Sequence, residues 1–233
     1  MIPNRYFEDL RRLSRAYHGR TGRPLVTLSF AQSLDGSLAR TRGEPLALSG
    51  PQSLVFTHRL RAAHDAILVG IGTVLADDPR LTARGSDGGS PRPVILDSKL
   101  RIPGKARLWA HPCGPWIFVA AGVPAEDRDA VARRGGRCFE VSRSHVRLLD
   151  LPAVLAELGR NDIRSLMIEG GATVITRFLA EGLVDRVAIT IAPVFVGGLR
   201  ALEDGPVQIP GLVDVKAYQL GADVVLTGVF DRV

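Results

Sequence analysis

Lysine is nearly missing from this chain. Of its 233 residues 30 are basic, yet the only lysines are Lys99, Lys105 and Lys216. The positive charge behind the net +6 is therefore arginine, whose planar fork matches carboxylate and phosphate oxygens two at a time. That bias suits an anionic small molecule, with nucleic acid as the rival for a pI near 10. Aromatic residues make up only 6%, and no stripe interleaves them with arginine, which argues against a nucleic-acid surface. Cysteine is scarce too. Cys113 and Cys138 form no CxxC pair, and His18, His58, His64, His111 and His145 show no metal spacing. The expectation is a reduced, cytoplasmic protein with no metal site. No apolar run reaches about 18 residues, so no membrane-spanning helix is expected. The charged N-terminus lacks the apolar centre of a signal peptide. GxSxG and GxxxxGK[ST] do not occur, which removes support for a serine hydrolase or a P-loop.

What is present reads as alternating strands and helices. Residues 1–22 are a basic arm with a helix over 6–17, of the kind that packs on a partner subunit or stays loose. Residues 23–233 read as one domain. Apolar, β-branched runs predict strands at 25–31, 66–69, 93–97, 116–120, 137–141, 165–168, 184–192 and 222–230. Helices are expected over 125–133, 152–158 and 172–181, and another runs through Leu54, Val55, Leu60 and Ala63. Ser49 and Gln52 have capping-box spacing at the start of that last helix. Asp35-Gly36 marks a turn, and a Gly/Pro-rich loop spans 197–211. This order predicts an α/β fold whose mostly parallel sheet has helices on both faces and an antiparallel C-terminal edge.

Two glycine turns follow apolar strands. Gly70-Ile71-Gly72-Thr73 lacks the third glycine of a dinucleotide fingerprint, since Leu75 stands there. Its glycines either let a ligand approach the backbone or simply make a tight turn. Glu169-Gly170-Gly171-Ala172-Thr173 is the better phosphate cradle, with bare amides and a hydroxyl at a helix N-terminus. Asp77 and Asp78 are adjacent and point apart; Asp78, before Pro79, reads as a turn residue and Asp77 as the freer acid. Glu169 ends an apolar strand, where open α/β sheets bind ligands, although a solvated loop carboxylate fits equally. Arg61 and Arg84 can pair with these acids or take a phosphate.

In combination these segments resemble a known family. Ser33-Leu34-Asp35-Gly36, Leu60-Arg61-Ala62, the run from Asp65 to Leu75, Asp77-Asp78-Pro79-Arg80-Leu81-Thr82, Arg84, Glu169-Gly170-Gly171-Ala172, Ala192-Pro193 and Gly197-Gly198 recur in register with the riboflavin-biosynthesis pyrimidine reductases. The resemblance implies a dihydrofolate-reductase-like three-layer fold, usually homodimeric. It also implies NADPH-dependent reduction of a phosphoribosylamino-pyrimidine to its ribitylamino counterpart. It places substrate contacts at Arg61, Leu81, Arg84 and Glu169, with the arginines near the ribose phosphate. Cofactor contacts fall at Ala31, Thr73, Asp77, Ser98, Gly170, Gly171, Ala172 and Thr173. Asp77 and Glu169 are the expected catalytic pair. The chain departs from the family pattern at Ser29, where Lys or Asn is common, and at Pro45 and Ala47, where a hydroxyl residue and tryptophan are common. Two further readings remain: a reductase of another pterin or pyrimidine such as dihydrofolate, and a nucleotide-binding module without catalysis. The HxE…PCxxC signature of a fused zinc deaminase does not occur.

Overall fold

The computed structural model describes residues 2–44, 46–85, 88–144, 148–202 and 211–231. Pro45, His145 and residues 203–210 of the expected loop lie outside the described residues. The chain opens with helix α1 (Asn4–Thr21), strand β1 (Leu25–Ser33), the short β2 (Ser37–Ala39) and α2 (Pro51–Ala62). There follow β3 (Ala66–Gly70), α3 (Ile71–Asp77), β4 (Arg92–Leu96), β5 (Trp116–Ala120), α4 (Ala125–Arg133) and β6 (Arg137–Val141). The second half holds α5 (Leu151–Arg160), β7 (Ser165–Ile168), α6 (Ala172–Ala180), β8 (Arg186–Ala192), β9 (Leu199–Arg200), β10 (Leu212–Leu220) and β11 (Asp223–Phe230).

Nine strands form one sheet in the order β10-β11-β8-β1-β7-β3-β4-β5-β6. From β8 to β6 every pairing is parallel, whereas β11 and β10 close one side antiparallel. The central strands are apolar throughout because both faces are covered. Ala66 and Leu68 of β3 face a core shared with Leu155 of α5 and Ile175 of α6. Ile67 and Val69 face the opposite side, with Val74 of α3 and Val131 of α4. The chain winds outward from β3 to β6 in one direction and from β7 through β8 to β10 in the other. The reversal flanks β7 and opens a crevice at the carboxyl ends of the strands.

Several expectations need correction. Helix α1 runs longer than 6–17; it ends where Gly22, at φ 70°, turns left-handed and donates its N–H to the His18 carbonyl. The helix and the residue pair before it lie on their own sheet, burying Ile2, Phe7 and Leu10 against Phe56 and Leu60 of α2. The capping box does not form. Gly50, in place of Ser49, is the N-cap, and its N–H donates to the carboxylate of Asp223 at the start of β11. Leu54 and Val55 are exposed, while Ser53, Phe56 and Leu60 supply the buried face. Strand β10 lies where the sequence pattern predicts no strand. As a mostly exposed edge strand, with a bulge between Val213 and Lys216, it lacks a continuous apolar run.

His64 joins the end of α2 to β1. Its Nδ1 lies 2.7 Å from the Leu60 carbonyl, so this nitrogen donates, and Nε2 accepts from the Thr27 hydroxyl at 2.9 Å. Complete burial lowers the imidazole pKa to about 4. Below about pH 6.5 the unfolded chain takes up a proton that the native ring refuses until about pH 4. Stability therefore falls as pH drops through this window, by on the order of 3 kcal/mol from this one residue. Urea unfolding at several pH values should show that loss in the wild-type protein and a shallower slope in His64→Gln.

Candidate active site

A cleft of about 660 Å³ opens at the carboxyl ends of the strands, a size suited to a small ligand or cofactor. Ser29 and Ala31 of β1, Gly70 of β3, Glu169 after β7 and Thr190 of β8 reach it. Gly72, Thr73 and Asp77 of α3, Ser98 after β4, and Gly170 to Thr173 at the start of α6 complete much of the lining. Ten of the residues expected at a site therefore share one cavity: Ala31, Arg61, Thr73, Asp77, Ser98, Glu169, Gly170, Gly171, Ala172 and Thr173. Leu81 and Arg84 lie off its lining. The Leu81 side chain is buried in the core beneath α3, at φ 53°. Arg84 turns to His58, its Nε donating to the ring Nε2 at 3.4 Å. Burial, then the charges of Arg61 and Arg84, hold the His58 pKa below its ordinary value.

The glycine turns work differently from the sequence expectation. A Cβ on Gly70 would stand 2.9 Å from Val174 Cγ2, and one on Gly170 would stand 2.5 Å from Val174 Cβ. These glycines let the first turn of α6 pack against two strand ends. Their service to a ligand is indirect. Gly72 meets no atom within 4 Å and is free of that constraint. Helix α6 has Gly171 as N-cap and no side-chain cap. Asp78 ends α3 at φ 40° and accepts from the Arg107 N–H, which is the turn role expected of it.

Arg61 and Glu169 meet through two parallel bonds, Nε to Oε1 at 2.8 Å and Nη2 to Oε2 at 2.5 Å. Burial opposes the Arg61 charge, and Glu169 more than restores it, so the guanidinium pKa lies above its ordinary value. Partial burial raises the Asp77 carboxyl in the direction of its protonated form.

The two remaining motifs form one unit. The Asp35 carboxylate accepts from the hydroxyls of Ser33 (2.6 Å) and Ser37 (2.7 Å) and the amides of Val196 (2.9 Å) and Gly197 (2.8 Å). These donors hold its pKa well below the usual carboxylate range. The latch joins β2 to β9, which present Leu38, Ala39 and Leu199 to the cleft. Gly198 must lack a side chain because a Cβ would run into the carbonyls of Ala39 and Arg40.

Thr57, Thr190 and Arg101 also line the cleft, outside the residues that the sequence marks. Thr190 carried one signal, a hydroxyl in an otherwise apolar strand run. Arg101 carried none, because its place depends on the buried Asp97, 3.7 Å away. Among the described residues no group of three His, Cys, Asp or Glu side chains is placed to hold a metal ion.

A doubly wound α/β sheet with such a cleft is the architecture of dihydrofolate reductase. The Enterococcus faecalis enzyme superposes with a TM-score of 0.55 at 12% identity, over 89% of this chain and 97% of that one, which shows a shared fold. The chain belongs to the RibD C-terminal domain family, whose model matches residues 24–226. It is 38% identical over 222 residues to the 2,5-diamino-6-ribosylamino-4(3H)-pyrimidinone 5′-phosphate reductase of Archaeoglobus fulgidus, covering 90% of this chain and 100% of the relative. Identity to the riboflavin biosynthesis protein RibD of Bacillus amyloliquefaciens is 37% over 221 residues, 90% of this chain but only 58% of that longer protein. RibD of Acinetobacter baumannii superposes with a TM-score of 0.81 at 29% identity, over 94% of this chain and 62% of that one. For the riboflavin biosynthesis reductase Rib7 of Saccharomyces cerevisiae the TM-score is 0.74 at 29% identity, over 96% and 100%.

The tight packing at Gly170 has a direct test. Gly170→Ala should cost about 1–3 kcal/mol by overpacking against Val174, and adding Val174→Ala should recover part of that loss in thermal unfolding.

Proposed function

We propose that the protein is the NADPH-dependent reductase that converts 2,5-diamino-6-ribosylamino-4(3H)-pyrimidinone 5′-phosphate to its ribitylamino counterpart in riboflavin biosynthesis. The observation that carries this reading is the convergence of Asp77, Glu169 and the α6 N-terminus on one cleft. The diamino substrate is favoured because a relative spanned over its whole length by this chain bears that name. A nicotinamide dinucleotide suits the donors present. The N-terminus of α6, the hydroxyls of Thr73 and Ser98, and the charge of Arg101 match its phosphates and ribose. When bound, it supplies the hydride that adds at C1′ of the sugar.

The protein's share of the chemistry is proton handling and charge placement. Opening the ribose breaks the C1′–O4′ bond as the exocyclic nitrogen lone pair forms a C=N bond, and O4′ takes up a proton. Asp77, with its raised pKa, is the donor to O4′. Glu169 provides the negative charge beside the developing cationic imine and accepts from the sugar hydroxyls. The two free thiols, Cys113 and Cys138, suit a cytoplasmic setting. The exposed Leu212, Val213 and Val215 on edge strand β10 suit a homodimer. The ligand class is a small phosphorylated pyrimidine and not nucleic acid.

Purified protein should oxidise NADPH when given the diamino substrate; no turnover with intact substrate would overturn the assignment. Glu169→Gln and Asp77→Asn should each lower kcat by about 100-fold or more, and Glu169→Gln should leave NADPH affinity, measured by fluorescence titration, within about twofold.

A further inference from the structure

Resting on that reading, we infer that His58 is a positioning residue for Arg84, and that its ring takes up a proton from solvent as the substrate phosphate binds. Arg84 is exposed, and among the described residues its guanidinium has no carboxylate partner, whereas Arg61 has Glu169. Three Arg84 donors converge instead on one imidazole. The main-chain N–H points to Nδ1 at 3.3 Å, and Nε and Nη2 point to Nε2 at 3.4 and 3.3 Å. A neutral imidazole has a single acceptor nitrogen, because the other carries the proton. Donors therefore outnumber acceptors, and the contacts are long. His58 follows Thr57 directly and lies one helical turn before Arg61, and both of those residues line the cleft. Surplus donors at the edge of a cleft suit an anion with several acceptor oxygens, as a phosphate has.

The groups facing the ring come from three places. Arg61 belongs to α2, Arg84 and the Thr82 carbonyl to the segment between α3 and β4, and Glu169 to the end of β7. Burial first, then both guanidiniums, hold the imidazole below its ordinary pKa against the pull of Glu169 and the Thr82 carbonyl. The free ring is therefore neutral at neutral pH. Two arginines and one glutamate leave the cluster a single formal positive charge. A proton on His58 makes it two, which matches a phosphate dianion. The dianion also reverses the field that kept the ring neutral. Once it draws Arg84 off the ring, both ring nitrogens are free to carry protons, and one can donate to a phosphate oxygen. Above about pH 7 the phosphate is already dianionic, its second pKa being about 6. Raising the pH further removes only the proton meant for His58, so affinity falls.

Calorimetry at about pH 7.5, in two non-phosphate buffers of different ionisation heat, reads this proton directly. Binding of the diamino substrate should take up a fraction of a proton in the wild type and none in His58→Gln, which keeps an acceptor for Arg84 but cannot titrate. The same riboside without its phosphate should take up none in either protein. Between about pH 7 and about pH 8.5 the wild-type KM should rise about threefold or more, while that of His58→Gln starts higher and stays level within about twofold. The substitution should raise KM by a larger factor than it lowers kcat. Equal proton uptake in the two proteins, or KM values that rise in parallel, would overturn the inference. If the wild type neither binds nor reduces the pyrimidine, the functional reading falls, and NMR titration of the His58 ring in inorganic phosphate against chloride of equal ionic strength still decides. A midpoint raised by about half a pH unit or more in phosphate supports the inference, and an unmoved midpoint overturns it.

Discussion

The side chain of Val174 fills the space that side chains at Gly70 and Gly170 would occupy, so α6 begins against the ends of β3 and β7 without a gap. Most of the cleft depends on this contact. It sets where the α6 amides lie, how far Glu169 stands from Gly70, and how closely Thr73 approaches Gly171, whose Cβ position is 3.6 Å from the threonine hydroxyl. Neither glycine turn uses a left-handed backbone: Gly70 has φ −80° and Gly171 φ −70°. The glycines here solve a packing problem at a strand end, and the cavity beside them follows from its solution.

Charge is arranged around that frame in three separate devices. Asp35 locks the wall built from β2 and β9, and Arg61 locks Glu169. Asp185 locks the lower end of the sheet, accepting from both Arg23 Nη atoms at 3.2 and 3.0 Å and from the Val26 amide at 2.8 Å. Each is a carboxylate with several donors in fixed directions, an arrangement that rigidifies far more than a single exposed ion pair. Asp77 differs: it lines the cleft, and partial burial raises its carboxyl pKa.

The interior of the fold was legible because continuous apolar runs have one physical reading when short and bounded by turns. The strands at 116–120, 137–141 and 165–168 and the helix at 125–133 stand where the pattern placed them. Of the twelve site residues that the resemblance marks, ten line one cavity, and Leu81 and Arg84 lie off it. What could not be read depended on distant partners. Gly50 in place of Ser49 caps α2, and its N–H goes to Asp223, 173 residues away. The purpose of Gly70 is invisible without Val174, and the pairing of Arg61 is invisible without Glu169, 108 residues further on. Strand β10 escaped notice because solvent on its outer side removes the apolar pattern that marks an interior strand.

Helix α1 falls before residue 24, where the match to the family model begins. Yet Ile2, Phe7 and Leu10 cover Leu25, Phe56, Leu60 and Met167, and Arg11 donates to the carbonyl of Ala62 at the end of α2. A recombinant fragment trimmed to the family boundary would uncover that apolar surface on the sheet and on the helix bearing Arg61. Such a fragment would be a poor expression target and prone to self-association, so any shortened version of the protein has to begin ahead of the helix.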